Sequence, residues 1–284
     1  MKKIGIITNP QKDENLLLTK EIVSILNCPE AKLFMPEDFS NSDISGVDFL
    51  SNEEIFSTVD FIVTVGGDGT ILRIAEKASK NSISVIGINL GRLGFMAELE
   101  PNEIGLLSKI ITDDFTIESR MMLDVSIIRD GKTIENLLAL NEVVVGKGSV
   151  SKIAELELYC NDTFICPFHS DGLIVSTPTG STAYSLSAGG AIIDPTLNCM
   201  LLTPVCPHSF TNSRPIVFSP SSILQIKDVQ SEENTYLTVD GRINLKLNYL
   251  DTVEVRVSDK TTELVKIKNT EFYDRVNRKI AERK

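Results

Sequence analysis

The five residues Phe61-Ile62-Val63-Thr64-Val65 carry no charge and run directly into Gly66-Gly67-Asp68-Gly69-Thr70. A strand that is apolar on both faces needs cover on both, which predicts a parallel sheet layered between helices. The neighbouring segments agree. Ile4 to Thr8 reads as a strand broken by Asn9-Pro10, and Asn15 to Leu26 spaces Leu18, Ile22, Ile25 and Leu26 as a helix does. Ile71 to Ala78 reads as a helix and Ser84 to Asn89 as the next strand, closing a right-handed crossover. Pro101 suits the first position of a further helix ending near Ile111.

From about Phe115 the pattern changes to period-two alternation with turn signals at Asp130-Gly131 and Asn161-Asp162, which predicts antiparallel β-structure. A short helix over Thr182 to Ala188 interrupts it, and strands resume through Lys268. Glu271 to Lys284 places Phe272, Val276 and Ile280 four apart, an amphipathic helix able to fold back on the first domain. The expected organisation is an α/β domain over 1–118 that carries the glycine loop. A β-rich domain over 119–257 follows, then a C-terminal segment over 258–284 that packs on the α/β domain.

Composition removes several function classes. A formal net charge of −11 disfavours broad nucleic-acid or anionic-membrane binding, since both need a basic face. The longest apolar runs fall well short of the roughly 20 residues that span a bilayer. Five cysteines without a C-x-x-C pair, and only His169 and His208, give neither a disulfide framework nor a zinc site. With no secretory leader at Met1-Lys2-Lys3, the expectation is a cytoplasmic enzyme.

The glycine loop joins a buried strand to a helix start, where free backbone N–H groups form an anion site. Gly66, Gly67, Gly69 and Thr70 are therefore candidates for holding phosphate. Asp68 within that loop would repel phosphate unless Mg²⁺ intervenes or the carboxylate does proton chemistry; the alternative is a helix cap. No G-x-x-x-x-G-K-[ST] occurs, Leu72 stands where a dinucleotide fingerprint needs its third glycine, and there is no H-R-D, so P-loop, Rossmann and protein-kinase readings lose support. Ser176 to Tyr184 supplies hydroxyls at a strand-to-helix turn, either for a polar ligand or for capping. Asn141-Glu142 suits ribose hydroxyls, or is a solvent-facing strand end. Asp171-Gly172 and Asp240-Gly241 read equally as hairpin turns. The run Arg275, Arg278, Lys279, Arg283, Lys284 reads as the solvated face of a helix with no chemistry.

Taken in order, these segments resemble the NAD kinase family. The resemblance rests on Gly66 to Thr70, Asn89-Leu90-Gly91-Arg92-Leu93-Gly94-Phe95, Asn141-Glu142, and Asp171-Gly172 leading into Ser176 to Tyr184. It continues through Ser187-Ala188-Gly189-Gly190, Thr203 to Ser209 and Asp240-Gly241. The glycine loop is shared with diacylglycerol and sphingosine kinases; the Asn-Glu pair with Gly180-Ser181-Thr182-Ala183-Tyr184 is not. The resemblance implies NAD held in the cleft between the two domains, and ATP or polyphosphate as donor with Mg²⁺ delivered on ATP. It also implies a homodimer or homotetramer whose sites are completed across subunits. Asp68 resembles the residue that orients and deprotonates the 2′-hydroxyl, with Gly66, Gly67 and Gly69 along the phosphates. Phe95, Thr182, Ala183 and Ser187 resemble the adenine pocket, and Asn141 and Glu142 the ribose contacts. Asp171, Ser176, Ala183 and Tyr184 resemble contacts to the nicotinamide half and pyrophosphate, with Asp240 nearby. His169 is counted among the dinucleotide contacts and stands where many bacterial members carry Arg, on the side of the dinucleotide's phosphates or the neighbouring subunit. A lipid kinase would instead phosphorylate an apolar alcohol, and a non-catalytic regulator would bind NAD without turnover.

Overall fold

The computed structural model describes residues 1–91, 94–148, 153–208, 214–229, 235–269 and 271–282. Arg92, Leu93, Ser209, Arg283, Lys284 and the side chain of Ile280 lie outside the described residues. The chain divides into two compact units, one formed by Met1–Ser119 with Thr262–Lys284 and the other by Arg120–Thr261.

In the first unit β1 (Lys2–Thr8), α1 (Leu17–Leu26), β2 (Ala31–Pro36), β3 (Asp48–Leu50), α2 (Asn52–Thr58), β4 (Phe61–Gly66), α3 (Asp68–Lys80), β5 (Ser84–Asn89) and α4 (Ser108–Ile111) follow in order. The strands form a parallel sheet ordered β5-β4-β1-β2-β3. Ile62, Val63 and Val65 of β4 are wholly buried, as cover on both faces requires. Ile4, Ile6, Ile22, Leu26, Ile86, Ile88 and Leu107 pack with Val63 and Val65 into one core.

Helix α1 begins at Leu17 rather than Asn15, because Asn15 and Leu16 take positive φ (53° and 56°). The buried Asp13 carboxylate receives the Leu18 and Thr19 N–H groups, each at 3.0 Å, and so caps the helix from outside it. Helix α2 starts on a Ser51/Glu54 capping box. The segment opened by Pro101 is a 3-10 helix through Leu107, with only Ser108–Ile111 α-helical.

The second unit contains β6 (Thr116–Arg129, entering from the first unit), β7 (Lys132–Ala139), β8 (Glu142–Lys147), β9 (Ala154–Cys160), β10 (Thr163–Ser170) and β11 (Gly172–Ser176). After them come α5 (Tyr184–Ser187), β12 (Met200–Val205), β13 (Ile216–Phe218), β14 (Leu224–Asp228), β15 (Thr235–Val239) and β16 (Ile243–Lys246), and β17 (Thr252–Lys266) then leads back to the first unit. One antiparallel sheet runs β13-β12-β11-β8-β15-β16, and β10-β9-β14-β17 are paired in a second. Leu123, Val143, Val145, Leu156, Leu173, Val175, Leu202, Leu237 and Val255 fill the core. Asp130-Gly131, Asn161-Asp162 and Asp240-Gly241 take positive φ at hairpin turns. Asp171-Gly172 does not make a hairpin: β10 and β11 on either side belong to different sheets. The helix expected over Thr182 to Ala188 is a 3-10 turn at Gly180–Thr182 followed by the single turn of α5.

Beyond Thr262 the chain rejoins the first unit, where Leu264 of β17 pairs with Val85 of β5 and α6 (Phe272–Glu282) ends the described chain. Among the described residues no helix is long and apolar enough to cross a membrane.

Candidate functional site

In the first unit the glycine loop stands at the C-terminal edge of β4, whose neighbours are β1 and β5. The carboxyl edge of a parallel sheet is where α/β folds bind ligands. Gly66 ends β4, Gly67 is the N-cap of α3, and Asp68, Gly69 and Thr70 form its first turn. The Thr70 N–H is taken by the Gly67 carbonyl at 2.8 Å, whereas the space around the Gly69 α-carbon is open.

Asp68 is not a cap. The N-cap makes no side-chain hydrogen bond. The Asp68 carboxylate instead turns away from its own helix to a segment 27 to 29 residues later. Oδ2 accepts the Phe95 N–H at 2.7 Å, and Oδ1 accepts the Met96 and Ala97 N–H groups, each at 3.1 Å. Gly94 makes this approach possible, since a Cβ there would lie 2.1 Å from Asp68 Oδ1. Oδ2 therefore keeps a lone pair free to accept a hydroxyl proton.

Two further residues stand near the loop: Lys12, which the sequence reading does not single out, and Asn89, which it names only as the start of a resembling segment. Lys12 brings its ammonium to 3.7 Å, and Asn89 its Oδ1 to 3.3 Å, from where a Cβ on Gly67 would stand. The signal was the parallel pairing itself: Thr8 lies beside Val65, so the turns after β1 and β4 emerge together. The Phe95 ring packs at 6.1 Å against Phe272 of α6 and lies under the Lys279 ammonium at 4.3 Å.

In the second unit Asn141 and Glu142 are each only 7% exposed, so the solvent-facing strand end is excluded. Antiparallel registry sets Ser176 of β11 directly opposite Glu142 of β8. Asp240 closes the cluster: its buried carboxylate accepts the N–H groups of Leu140 (3.0 Å), Asn141 (2.8 Å) and Glu142 (3.1 Å). Asp240-Gly241 is thus both a hairpin turn and the anchor of the Asn-Glu segment. Burial raises the Asp240 carboxyl above its ordinary value, against those three amides and Arg242. Burial, then the Asp240 charge, pushes Glu142 up to about 7, opposed by the Tyr184 amide. Among the described residues, Glu142 Oε2 and Ser176 Oγ are both buried without a hydrogen-bond partner. Two orphaned polar atoms on facing strands mark a place for a polar ligand, since buried groups are otherwise nearly always paired.

The turn after β11 is pinned to this cluster. Thr177 donates its N–H to the Asn141 carbonyl at 2.9 Å and its hydroxyl to the Leu140 carbonyl at 2.7 Å. Thr182 is buried, with its hydroxyl on the Thr179 carbonyl; Ala183 is half-buried, and Ser187 is exposed. Tyr184 and Asp171 line a cavity of about 520 Å³ with Lys147, Tyr236, Thr238 and Asn244. Lys147 pairs with Asp171 at 2.6 Å. Sequence reading missed Lys147, Tyr236, Thr238 and Asn244. Tyr236 and Thr238 alternate with the buried Leu237 and Val239, so one face of β15 was marked as polar. His169 is half exposed beside Glu155 and does not line this cavity.

Because Glu142 is raised in the folded chain from an ordinary value near 4.5, its contribution to stability is full below that value and is lost as pH rises through about 7. A tenfold difference in proton affinity between the folded and unfolded chain is worth about 1.4 kcal/mol, enough to register in a melt. Thermal melts of the ligand-free protein should therefore fall between about pH 5 and 8, and Glu142→Gln should flatten that fall. Parallel pH slopes for the two proteins would contradict this account of Glu142.

A glycine loop at a helix start, and a buried amide-carboxylate-hydroxyl cluster beside a polar cavity, are the parts of a protein that handles a phosphate-bearing, hydroxyl-rich ligand. Comparison with known proteins makes the class specific. Residues 4–115 match the model of the ATP-NAD kinase N-terminal domain, and residues 140–267 that of the ATP-NAD kinase C-terminal domain. The chain is 37% identical over 286 residues to an NAD kinase of Thermoanaerobacter sp. (strain X514), covering the whole of both chains. It is likewise 37% identical over 284 residues to one from Caldanaerobacter subterraneus subsp. tengcongensis, again over the full length of both. Among solved structures it resembles a yeast NADH kinase complexed with NADH (TM-score 0.88, 26% identity, 98% of this chain and 86% of that one). It also resembles an NAD kinase from Archaeoglobus fulgidus in complex with ATP (TM-score 0.76, 25% identity, 98% of both). The chain belongs to the NAD kinase family.

Proposed function

We propose that this protein transfers the terminal phosphoryl group of ATP, or of polyphosphate, to the adenosine-ribose 2′-hydroxyl of NAD, forming NADP. The observation that carries this reading is the Asp68 carboxylate, anchored by three backbone amides with Oδ2 able to accept one more hydrogen bond. In the step, the 2′-oxygen forms a bond to phosphorus while the bond from phosphorus to the bridging oxygen breaks. ADP, or the shortened polyphosphate, leaves with that electron pair. The hydroxyl proton passes to Asp68 and from there to solvent.

Gly66, Gly67 and Gly69 receive phosphate at the start of α3, with the Thr70 hydroxyl beside them, since the Thr70 N–H is held by Gly67, and Lys12 as an added cation. Asn141 and Glu142 hold the ribose, a role supported by the unpartnered Glu142 Oε2. Ser176, Asp171, Ala183 and Tyr184 serve the pyrophosphate and nicotinamide half. Phe95, Thr182, Ala183 and Ser187 serve the adenine, Asp240 holds the Asn-Glu segment in place, and His169 serves the dinucleotide's phosphates or the neighbouring subunit.

Among the described residues no group of three or more His, Cys, Asp or Glu side chains suits a metal ion. Mg²⁺ is assigned to the ATP substrate, and the steps above depend on this chain's own groups. Assembly as a homodimer or homotetramer is supported by β10, a sheet-edge strand with Phe164 and Ile165 exposed. Five unpaired cysteines suit a reducing, cytoplasmic setting.

The test is purified protein with Mg²⁺, offered NAD or NADH as acceptor and ATP or polyphosphate as donor, and scored by a dehydrogenase specific for the phosphorylated product. Turnover with at least one donor is expected. NAD binding without product under every combination would overturn the proposal.

A further inference from the structure

The cationic face of α6 is not wholly solvated. Arg275 is only 5% exposed, and it is engaged with the segment that holds Asp68. Its Nη1 donates to the Ala97 carbonyl, with a second, longer contact to the Phe95 carbonyl at 3.4 Å; Nη2 donates to Glu98 at 2.8 Å. Glu98 is itself buried, paired with Lys266 and receiving the Ile267 and Lys268 N–H groups at 3.0 and 2.8 Å. Phe272 and Lys279 of the same helix flank the Phe95 ring.

Residues 95–97 thus face two ways. Their N–H groups bind Asp68, and the carbonyls of Phe95 and Ala97 bind Arg275. A buried cation whose fork reaches two carbonyls and a carboxylate fixes the segment as one piece; a lysine carries its three donors on a single nitrogen and lacks that planar fork. We infer that Arg275 is a positioning residue for phosphoryl transfer, acting through the 95–98 segment to hold the Asp68 carboxylate where it meets the acceptor hydroxyl.

The inference rests on the reading of Asp68 as the base, so the test has one readout of turnover and one that needs none. Arg275→Met removes the donors and leaves Glu98 with Lys266 and two amides. Arg275→Lys retains the charge if the first variant folds poorly. At temperatures where each variant is fully folded, kcat should fall about ten- to a hundredfold, the penalty of a small misplacement at the reacting centre. The KM for NAD should rise by much less than kcat falls, because the Phe95 contact with adenine loosens modestly whereas the Asp68 interaction is realised in the transition state. Amide hydrogen exchange at Phe95, Met96 and Ala97 should quicken selectively. Lys32→Met, which breaks the exposed pair with Asp48 away from the 95–98 segment, serves as the control that leaves kcat and exchange at 95–97 unchanged. Wild-type kcat in a folded Arg275 variant, or unchanged exchange at 95–97, would overturn the inference. If the wild-type protein itself makes no NADP, the functional proposal fails, and the exchange measurement alone decides whether Arg275 holds the segment.

Discussion

Asp68→Asn should lower kcat by about 10²- to 10⁴-fold, the usual loss when a general base is removed. The structure adds a second, separable effect. An amide in place of the carboxylate must turn its NH₂ toward either the Phe95 N–H or the Met96 and Ala97 N–H pair, and both are donors. The better arrangement keeps the oxygen on Met96 and Ala97 and sets donor against donor at Phe95. That costs on the order of 1–3 kcal/mol for the unsatisfied groups, so Tm should fall with kcat. At a helix cap the same exchange would be nearly neutral for stability. NAD affinity should change little, since the proton is taken only as the new bond forms. Steady-state kcat, calorimetric NAD affinity and a thermal melt on one preparation check all three. Near-normal turnover would remove Asp68 from the chemistry, and an unmoved Tm would contradict its role as acceptor for the 95–97 segment.

Gly180→Ala should be the most damaging single-methyl change in the second unit. A Cβ at this position would lie 2.0 Å from the Asn141 carbonyl oxygen and 2.4 Å from its carbon. Both atoms belong to the backbone, so no rotamer change relieves the clash. Either the turn after β11 or the strand before Glu142 must move, and the two bonds that Thr177 makes to Leu140 and Asn141 are strained with it. Overpacking of this kind costs about 3 kcal/mol or somewhat more, which corresponds to a fall in Tm of roughly 6–12 °C. The KM for NAD should rise as well, because the displaced residues are those proposed to hold the ribose. Gly105→Ala, with open space around the new methyl, is the control that should leave both unchanged. A Gly180→Ala protein with wild-type melt and KM would show that the turn and the Asn-Glu strand are not rigidly coupled.

What was legible in the sequence was local. The apolar run of β4, the glycines and the onset of α3 are contiguous, so strand, turn and helix could be read from periodicity and backbone freedom alone. The loop's role as a candidate anion site followed from that order. The surroundings of Asp68 did not, because its three donors lie 27 to 29 residues away and approach only through Gly94. Glu142 shows the same limit more strongly. Its burial depends on Ser176 and Asp240 arriving through pairings of β8 with β11 and β15, and a strand pattern does not reveal its partners. Arg275 was read as solvated because helical spacing identifies a face without identifying what that face meets. Its acceptor at Ala97 is 178 residues distant. The residues of the polar cavity were half visible, since Tyr236 and Thr238 alternate with core positions, but nothing local distinguished a ligand face from a wet one.

In the proposed reaction the phosphoryl group goes to one oxygen of the dinucleotide. Phosphorus NMR of the product formed by the pure protein from NAD, Mg²⁺ and ATP tests it most directly. The predicted result is one new monoester resonance, assigned to the adenosine-ribose 2′-oxygen by comparison with authentic NADP, appearing in step with ADP. A spectrum of unchanged NAD while ATP is hydrolysed, or a monoester on any other hydroxyl, would contradict it.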